Sequence, residues 1–170
     1  GWGKFCRYDD ISIEESLSMI ETNCNGLIDM TLTVLPHMKK GARIINIGSQ
    51  AAFQPVPYQN LYSASKALVR SYSRALNVEL RDRGISVTCV CPSWVKTDFF
   101  NTAMDDSNPK SKRDLSGIVT PDAVVKKAMK DAKKRKDMSV VTLQTKAYHM
   151  LAKFLPQRVV MEVWLKMQNL

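Results

Sequence analysis

Apolar residues along the chain alternate between helical spacing and short continuous runs. Residues 13–38 and 61–81 repeat apolar side chains at helical intervals, which is the pattern of an amphipathic helix. Residues 43–47 and 86–91 are short apolar runs bounded by turn residues and predict buried strands, and residues 138–142 predict a short third strand. Strands that alternate with helices indicate an α/β layer fold with parallel pairing.

Local signals mark where several of these elements begin and end. Ser12 and Glu15 have the spacing of a capping box ahead of the first helix. Residues 98–117 are polar and predict a long loop. Thr120 is a predicted N-cap for the next helix, and residues 144–168 are amphipathic and helical, with one break at a proline.

Two side chains in the second helix indicate acid–base chemistry. Tyr62 and Lys66 are four residues apart, so they share one face of the helix. An ammonium near a phenol favours the phenolate, so Lys66 is expected to lower the pKa of Tyr62 from about 10. Such a tyrosine can give a proton to a carbonyl or take one from an alcohol. The alternative for Tyr62 is an aromatic residue at the edge of the core.

Two further polar residues can serve the same site. Ser49 follows the strand at 43–47, and the ends of strands are where sites form in open α/β sheets. Its hydroxyl can donate a hydrogen bond to a carbonyl oxygen as negative charge develops there. Asn23 cannot titrate, so its part would be positional. The alternatives are a strand-end cap for Ser49 and a water-facing helix residue for Asn23.

Taken together, these segments resemble the short-chain dehydrogenase/reductase family. Four motifs of that family are matched in order: its Asn-x-x-Gly at residues 23–26, its strand-end serine at Ser49, its Tyr-x-x-x-Lys at residues 62–66, and its Pro-Gly-x-x-x-Thr turn at residues 92–97. Ser93 stands where the family usually has glycine, and a serine is strained there if the position needs a positive φ. The resemblance implies a partial Rossmann-like, doubly wound parallel sheet of about three strands with flanking helices, as one domain over residues 1–170.

The resemblance also implies a reaction and the residues that carry it. It implies an NAD(P)-dependent oxidoreductase that interconverts a ketone and a secondary alcohol by hydride transfer, with Tyr62 as general acid/base. Lys66 would also hold the nicotinamide ribose, and Asn23 would anchor a water that relays protons. The residues implied to bind the cofactor, which is NAD or NADP, are Tyr62, Lys66, Pro92, Ser93, Val95 and Thr97.

One part of the family's pattern does not occur in this sequence. The chain has 7 glycines and no Gly-x-x-x-Gly-x-Gly run to bind the cofactor pyrophosphate. We therefore interpret it as the C-terminal catalytic portion of a dehydrogenase. The strand at 43–47 is then expected to lie at a sheet edge, with Ile44, Ile45 or Ile47 exposed or covered by another copy of the chain. A catalytically silent scaffold that binds no dinucleotide is the alternative.

Aromatic residues after the strands predict an apolar substrate pocket. Its candidate lining residues are Phe53, Tyr58, Trp94, Phe99, Phe100 and Met104. Such a lining indicates a small apolar carbonyl or alcohol substrate, and the alternative is packing among the loops. The family's two long helices commonly pack against those of a partner, which implies a homodimer or homotetramer built on residues 13–38 and 61–81.

The charge and the cysteines bear on partners and compartment. The net charge is +9, and lysines crowd residues 126–136, which predicts a solvated helix face. The alternative is a basic interaction module for anionic surfaces, and peripheral membrane contact stays open on that basis. No aromatic platform is interleaved with these lysines, which counts against nucleic acid. The four cysteines lack zinc spacing, so no metal is predicted, and buried, reduced cysteines suit the cytoplasm.

Overall fold

A computed structural model describes residues 1–105, 107–108 and 111–170, and within them helices and strands alternate along the chain. The strands are β1 (Arg43–Ile47), β2 (Ser86–Val90) and β3 (Met138–Ser139). The helices are α1 (Ile13–Ile20), α2 (Gly26–Val34), α3 (Asn60–Glu79), α4 (Phe99–Ala103), α5 (Pro121–Lys133), α6 (Leu143–Phe154) and α7 (Gln157–Met167). A π-helical turn (Glu21–Asn25) joins α1 to α2, and short 3-10 helices occupy Leu35–His37 and Gln50–Phe53.

The strands form a parallel sheet in the order β1-β2-β3, which confirms the predicted α/β class. Arg43 lies opposite Ser86, and every residue of the central strand β2 is buried. The third strand is shorter than the predicted 138–142. Thr142 instead caps α6, since its hydroxyl accepts a hydrogen bond from the backbone N–H of Thr145 at 3.0 Å.

Strand β1 lies at an edge of this sheet, as the sequence predicted. Ile47 is 56% exposed, whereas Ile44 and Ile45 are half-buried. The exposure of Ile47 at the end of this apolar edge strand agrees with the prediction for residues 44–47.

The predicted helix at 13–38 forms, and it begins at the predicted capping box. The Ser12 hydroxyl accepts from the Glu15 N–H at 3.1 Å, and the Glu15 carboxylate accepts from the Ser12 N–H at 3.0 Å. The sequence did not predict the π-helical turn, which buries Asn23 and Cys24 against α3. Turns of this kind are frequent at functional sites.

Helix α3 crosses the sheet and supplies much of its cover. Near the start of the strands, Leu76 and Leu80 pack with Ile85 and Val87. Toward their far ends, Val69 packs with Phe53, Cys89 and Cys91 among others. The Sγ atoms of Cys89 and Cys91 are 3.7 Å apart, so the two side chains share a face as their spacing predicted.

The predicted loop at 98–117 is partly helical, since α4 occupies its start. Phe99 packs against Phe5 with ring centroids 6.0 Å apart, and the Phe5 N–H donates to the Ala103 carbonyl at 2.7 Å. These contacts with the start of the chain are tertiary, so local polarity could not predict them. Positions 106, 109 and 110 of that loop lie outside the described residues.

Two other helix boundaries follow the sequence prediction. The Thr120 hydroxyl accepts from the Ala123 N–H at 3.3 Å and caps α5. Pro156 separates α6 from α7. Across the part of the chain that the structure describes, no helix combines the length and the apolar character needed to cross a membrane.

Candidate active site

A cavity of about 880 Å³ opens beside the ends of β1 and β2. The four residues with predicted acid–base or positional roles all line it: Asn23, Ser49, Tyr62 and Lys66. They come from three places in the chain, namely the π-helical turn, the residue that follows Gly48 after β1, and the first turns of α3. The cavity therefore brings together residues that the sequence could only place at matching spacings.

Tyr62 and Ser49 are hydrogen-bonding partners just beyond the C-terminal end of β1. Burial raises the pKa of Tyr62 to about 12, and the hydrogen bond with Ser49 acts in the opposite direction. The expectation that Lys66 lowers this pKa is wrong for the chain as it stands. Desolvation is the larger cause and the Ser49 hydrogen bond the opposing one, whereas the Lys66 Nζ lies 5.8 Å from the centre of the Tyr62 ring and is itself buried.

Lys66 is a buried ammonium at the base of the cavity. Its Nζ donates to the Ile47 carbonyl at 3.1 Å, and burial lowers its pKa. The ammonium has three N–H donors, and Ile47 accepts from one of them. The remaining donors give Lys66 the capacity to hold a ligand hydroxyl.

Asn23 ties the first residues of the chain to the helices. Its Oδ1 accepts from the Trp2 N–H at 2.9 Å, while its Nδ2 donates to the Trp2 carbonyl at 2.8 Å and to Ser65 Oγ at 3.1 Å. This arrangement lays Gly3 directly on the Tyr62 ring, where a Cβ atom would come within 2.6 Å of Tyr62 Cδ2. Sequence reasoning missed Gly3, because a glycine that is required by close approach carries no local motif.

The turn after β2 forms a wall of the cavity through Pro92, Ser93, Val95 and Thr97. Backbone hydrogen bonds to Val119 hold this turn in place, with the Lys96 N–H donating at 2.9 Å. Ser93 does not have a positive φ, so the serine is unstrained where the family usually has glycine. Its Oγ is buried and has no hydrogen-bond partner among the described residues.

The predicted substrate residues divide into two groups. Trp94, Phe99 and Phe100 line the cavity. The other three, Phe53, Tyr58 and Met104, do not line it, contrary to the prediction.

Each of the three has another place in the fold. Phe53 belongs to the core and packs on the His149 ring at a centroid distance of 4.3 Å. Tyr58 forms a turn with a φ of 60°, and its carbonyl accepts from the Cys6 N–H at 3.0 Å. Met104 follows the last turn of α4, where its N–H donates to the Phe100 carbonyl at 3.0 Å.

Comparison with known proteins assigns this arrangement to a family. The family model of the short chain dehydrogenases matches residues 1–108. The chain belongs to the short-chain dehydrogenase/reductase family. The likeness in fold to solved structures covers more of the chain, up to 97% of it.

Two solved structures illustrate that resemblance. A short-chain dehydrogenase from Sphingobium yanoikuyae in complex with NADPH superposes with a TM-score of 0.73 at 24% identity, covering 92% of this chain and 63% of that one. A short-chain dehydrogenase/reductase from Burkholderia phymatum in complex with NAD superposes with a TM-score of 0.76 at 18% identity, covering 89% and 62%. At these identities the likeness shows the fold alone.

Curated relatives of this short-chain dehydrogenase chain include a hydroxysteroid dehydrogenase and a ketoacyl reductase. The 17-beta-hydroxysteroid dehydrogenase type 3 of Rattus norvegicus is 46% identical over 85 residues, which are 49% of this chain and 28% of that protein. The ketoacyl reductase HetN of Nostoc sp. is 32% identical over 155 residues, which are 90% of this chain and 51% of that protein. The chain thus spans about half or less of the length of the curated relatives it matches.

Two cavity residues of this dehydrogenase chain were not predicted from its sequence. Tyr148 of α6 and Trp164 of α7 line the cavity. The Tyr148 hydroxyl accepts a hydrogen bond from the Gln54 side chain, and burial raises the pKa of Tyr148 to about 12. Amphipathic spacing showed that both helices have an inner face, but it could not show what that face covers.

A second part of the cavity runs along the open edge of the sheet. It lies between α2, through Leu27 and Met30, and α5, through Val124 and Val125, with Ile44 at its base. These side chains are apolar, so this part of the cavity offers burial rather than acid–base chemistry.

Proposed function

We propose that residues 1–170 form the catalytic portion, folded as one domain, of an NAD(P)-dependent oxidoreductase that interconverts a ketone and a secondary alcohol. The observation that carries the proposal is the hydrogen-bonded pair of Tyr62 and Ser49 inside an apolar cavity, with the buried ammonium of Lys66 beside them. A neutral phenol, a neutral hydroxyl and a nearby cation suit the transfer of one proton to or from a substrate oxygen.

The residues beside this pair fit the nicotinamide end of a dinucleotide. Lys66 has N–H donors to offer to ribose hydroxyls, and the buried Ser93 Oγ, which lacks a partner in the described chain, can bond a polar group of a ligand. Val95 and Thr97 complete that wall. When bound, the nicotinamide supplies or accepts the hydride, which no side chain can do. The two solved relatives described above hold NADPH and NAD, and we propose NAD or NADP here.

The proton step follows from the state of Tyr62. With a pKa of about 12, its hydroxyl is protonated near neutral pH and can donate to a ketone oxygen. Ser49 adds a second hydrogen bond to that oxygen as negative charge develops on it. Lys66 favours the phenolate that remains after the proton has left. Asn23 keeps the Trp2 backbone in place. The water that we propose Asn23 anchors would be the last member of the proton relay, farthest from Tyr62.

The walls of the cavity indicate the class of substrate. Trp94, Phe99, Phe100, Tyr148 and Trp164 present aromatic surface to whatever enters, and Trp94 packs on Trp164 with ring centroids 6.2 Å apart. We propose a small apolar ketone or secondary alcohol, in the range of the hydroxysteroid and ketoacyl compounds after which the relatives are named.

We further propose that the active form is a homodimer or homotetramer in the cytoplasm. α1 and α2 expose apolar side chains, including Leu17 at 65% and Met30 at 64%, that a second copy can cover. The described cysteines are free and buried, which suits a reducing compartment.

The basic interaction module is less well supported. Lys127 and Lys136 of the lysine-rich segment both pair with the carboxylate of Asp131. Burial alone would raise the pKa of Asp131, but hydrogen bonds from these lysines and from Ser139 hold it at about 2. The charges of Lys127 and Lys136 are therefore already paired with a carboxylate within the fold.

Isotope transfer separates the oxidoreductase from the silent scaffold. The full-length protein is incubated with NADPH or NADH deuterated at the transferable position, together with a panel of steroid and acyl ketones. The proposal predicts an alcohol product that carries deuterium at the carbinol carbon, detected by mass spectrometry. Unlabelled ketone recovered with both cofactors, from protein that is folded by circular dichroism, would favour the scaffold.

A further inference from the structure

The last two helices expose an apolar face that the catalytic account does not use. On α6 and α7 the inner faces are buried, as Ala152 and Val160 show at 7% and 4% exposure. The outer faces are apolar as well. Their exposed residues are Leu143 at 81%, Met150 at 49%, Leu151 at 54%, Phe154 at 72%, Val159 at 46%, Val163 at 45% and Met167 at 53%.

The spacing of these residues makes a continuous stripe on each helix. On α6, Leu143, Leu151 and Phe154 recur at helical intervals opposite the buried Ala152. On α7, Val159, Val163 and Met167 are four residues apart. A globular helix ordinarily directs one apolar stripe toward the core, so a second stripe toward solvent indicates an interaction surface.

The charges around the stripes identify the partner. Lys146 and Lys153 flank the α6 stripe, and Arg158 and Lys166 lie on α7. All four basic residues are exposed, whereas the two helices contain one acidic residue, Glu162. Long basic side chains can keep their charge among anionic head groups while the apolar residues between them enter the acyl region. We propose that α6 and α7 dock by their outer faces on an anionic lipid surface.

The lengths of the helices define the mode of contact. The 12 residues of α6 extend about 18 Å, which is short of the roughly 30 Å of a hydrocarbon core. The helices therefore lie in the plane of the interface. A second copy of the chain is a poorer partner for this face, because a two-fold contact would place the lysines of one copy close to the same lysines of the other.

The docked face would lie directly behind the cavity. Tyr148 and Trp164 project from the inner sides of the same two helices and line the cavity wall. If the proposed function holds, an apolar ketone dissolved in the lipid is delivered next to this wall. The lipid docking itself does not depend on turnover, so it is tested by binding alone.

The first test is flotation of the full-length protein with phosphatidylcholine vesicles that contain phosphatidylserine. The wild type is expected to float with them and to bind vesicles of phosphatidylcholine alone more weakly. The double variant Leu151→Gln/Phe154→Gln is expected to lose at least about tenfold in affinity, because two exposed apolar anchors are gone. The control Val78→Gln/Met129→Gln changes apolar residues that are 51% and 48% exposed on α3 and α5, and it should bind as the wild type does.

The second test separates this face from the lysine-rich segment of α5. Lys146→Gln/Lys153→Gln is expected to weaken binding to the phosphatidylserine vesicles by about tenfold, whereas Lys126→Gln/Lys130→Gln leaves it unchanged. The opposite ranking would assign the contact to α5 and overturn the proposal.

A fluorescence measurement provides a positive signal that does not depend on loss of binding. Phe154→Trp places an indole on the proposed face and should be quenched by brominated acyl chains, whereas Val78→Trp should not. A wild type that stays unbound, equal quenching at both positions, or a Leu151→Gln/Phe154→Gln variant that changes only the oligomeric mass would each refute lipid docking.

Discussion

At the residue scale, the protonation state of Tyr62 depends on burial more than on its charged neighbour. The four-residue spacing correctly placed Lys66 on the same helix face, because that geometry is local to the helix. The direction of the pKa shift was not predictable from spacing. It depends on how deeply Gly3, Phe5 and Phe99 enclose the phenol, and these contacts are distant in sequence.

The raised pKa of Tyr62 predicts a dependence of stability on alkaline pH. The folded pKa is about 12 and the unfolded value about 10, so the neutral phenol stabilises the fold fully below about pH 10, and this stabilisation is lost as pH rises toward 12. Over that window the wild type should lose about 2 kcal/mol more than Tyr62→Phe in urea unfolding. Parallel curves for the two proteins would contradict the burial of a neutral phenol.

At the element scale, the strands and long helices were predictable and the contacts between them were not. β1 forms at the predicted residues, and α3 begins and ends within two residues of its predicted bounds. The assignment of Phe53 to the pocket failed because a 3-10 helix directs it into the core. Tyr148 was missed because nothing local connects α6 to the cavity.

The segment that precedes α1 provides a test of these tertiary contacts. Gly3→Ala would place a Cβ within 2.6 Å of the Tyr62 ring, so we expect a loss of about 1–3 kcal/mol in the free energy of unfolding. The matched control is Gly26→Ala, whose Cβ has an ordinary contact at 3.4 Å with the Glu21 carbonyl oxygen. It should be neutral or stabilising, because alanine favours a helix over glycine. Equal effects of both substitutions would show that Gly3 does not touch Tyr62.

At the scale of the whole molecule, the exposed apolar surface is distributed over several faces. The edge position of β1 followed from the motif order and the absence of a glycine-rich run. The outward apolar stripes on α6 and α7 were not predicted, because amphipathic spacing does not determine how much of the apolar surface of a helix becomes buried in the fold. That exposure depends on how the helices pack in the folded chain.

The exposed face of α1 and α2 predicts self-association. Light scattering of the protein should give a mass above that of one chain, and Leu17→Glu should reduce it by placing a charge in an apolar contact. Met129→Glu, at 48% exposure on α5, is the matched control and should leave the mass unchanged. A single-chain mass for the wild type at tens of micromolar would contradict the proposed oligomer.

The Tyr62 hydroxyl is proposed to transfer the proton, which a comparison of two Tyr-to-Phe variants of the full-length enzyme tests. In Tyr62→Phe, kcat should fall by about 10²–10⁴-fold while the cofactor Kd changes little, since the ring keeps its packing. Tyr72→Phe removes a hydroxyl from the same helix outside the cavity and should retain the wild-type kcat. A Tyr62→Phe enzyme with a kcat near that of the wild type would contradict the account.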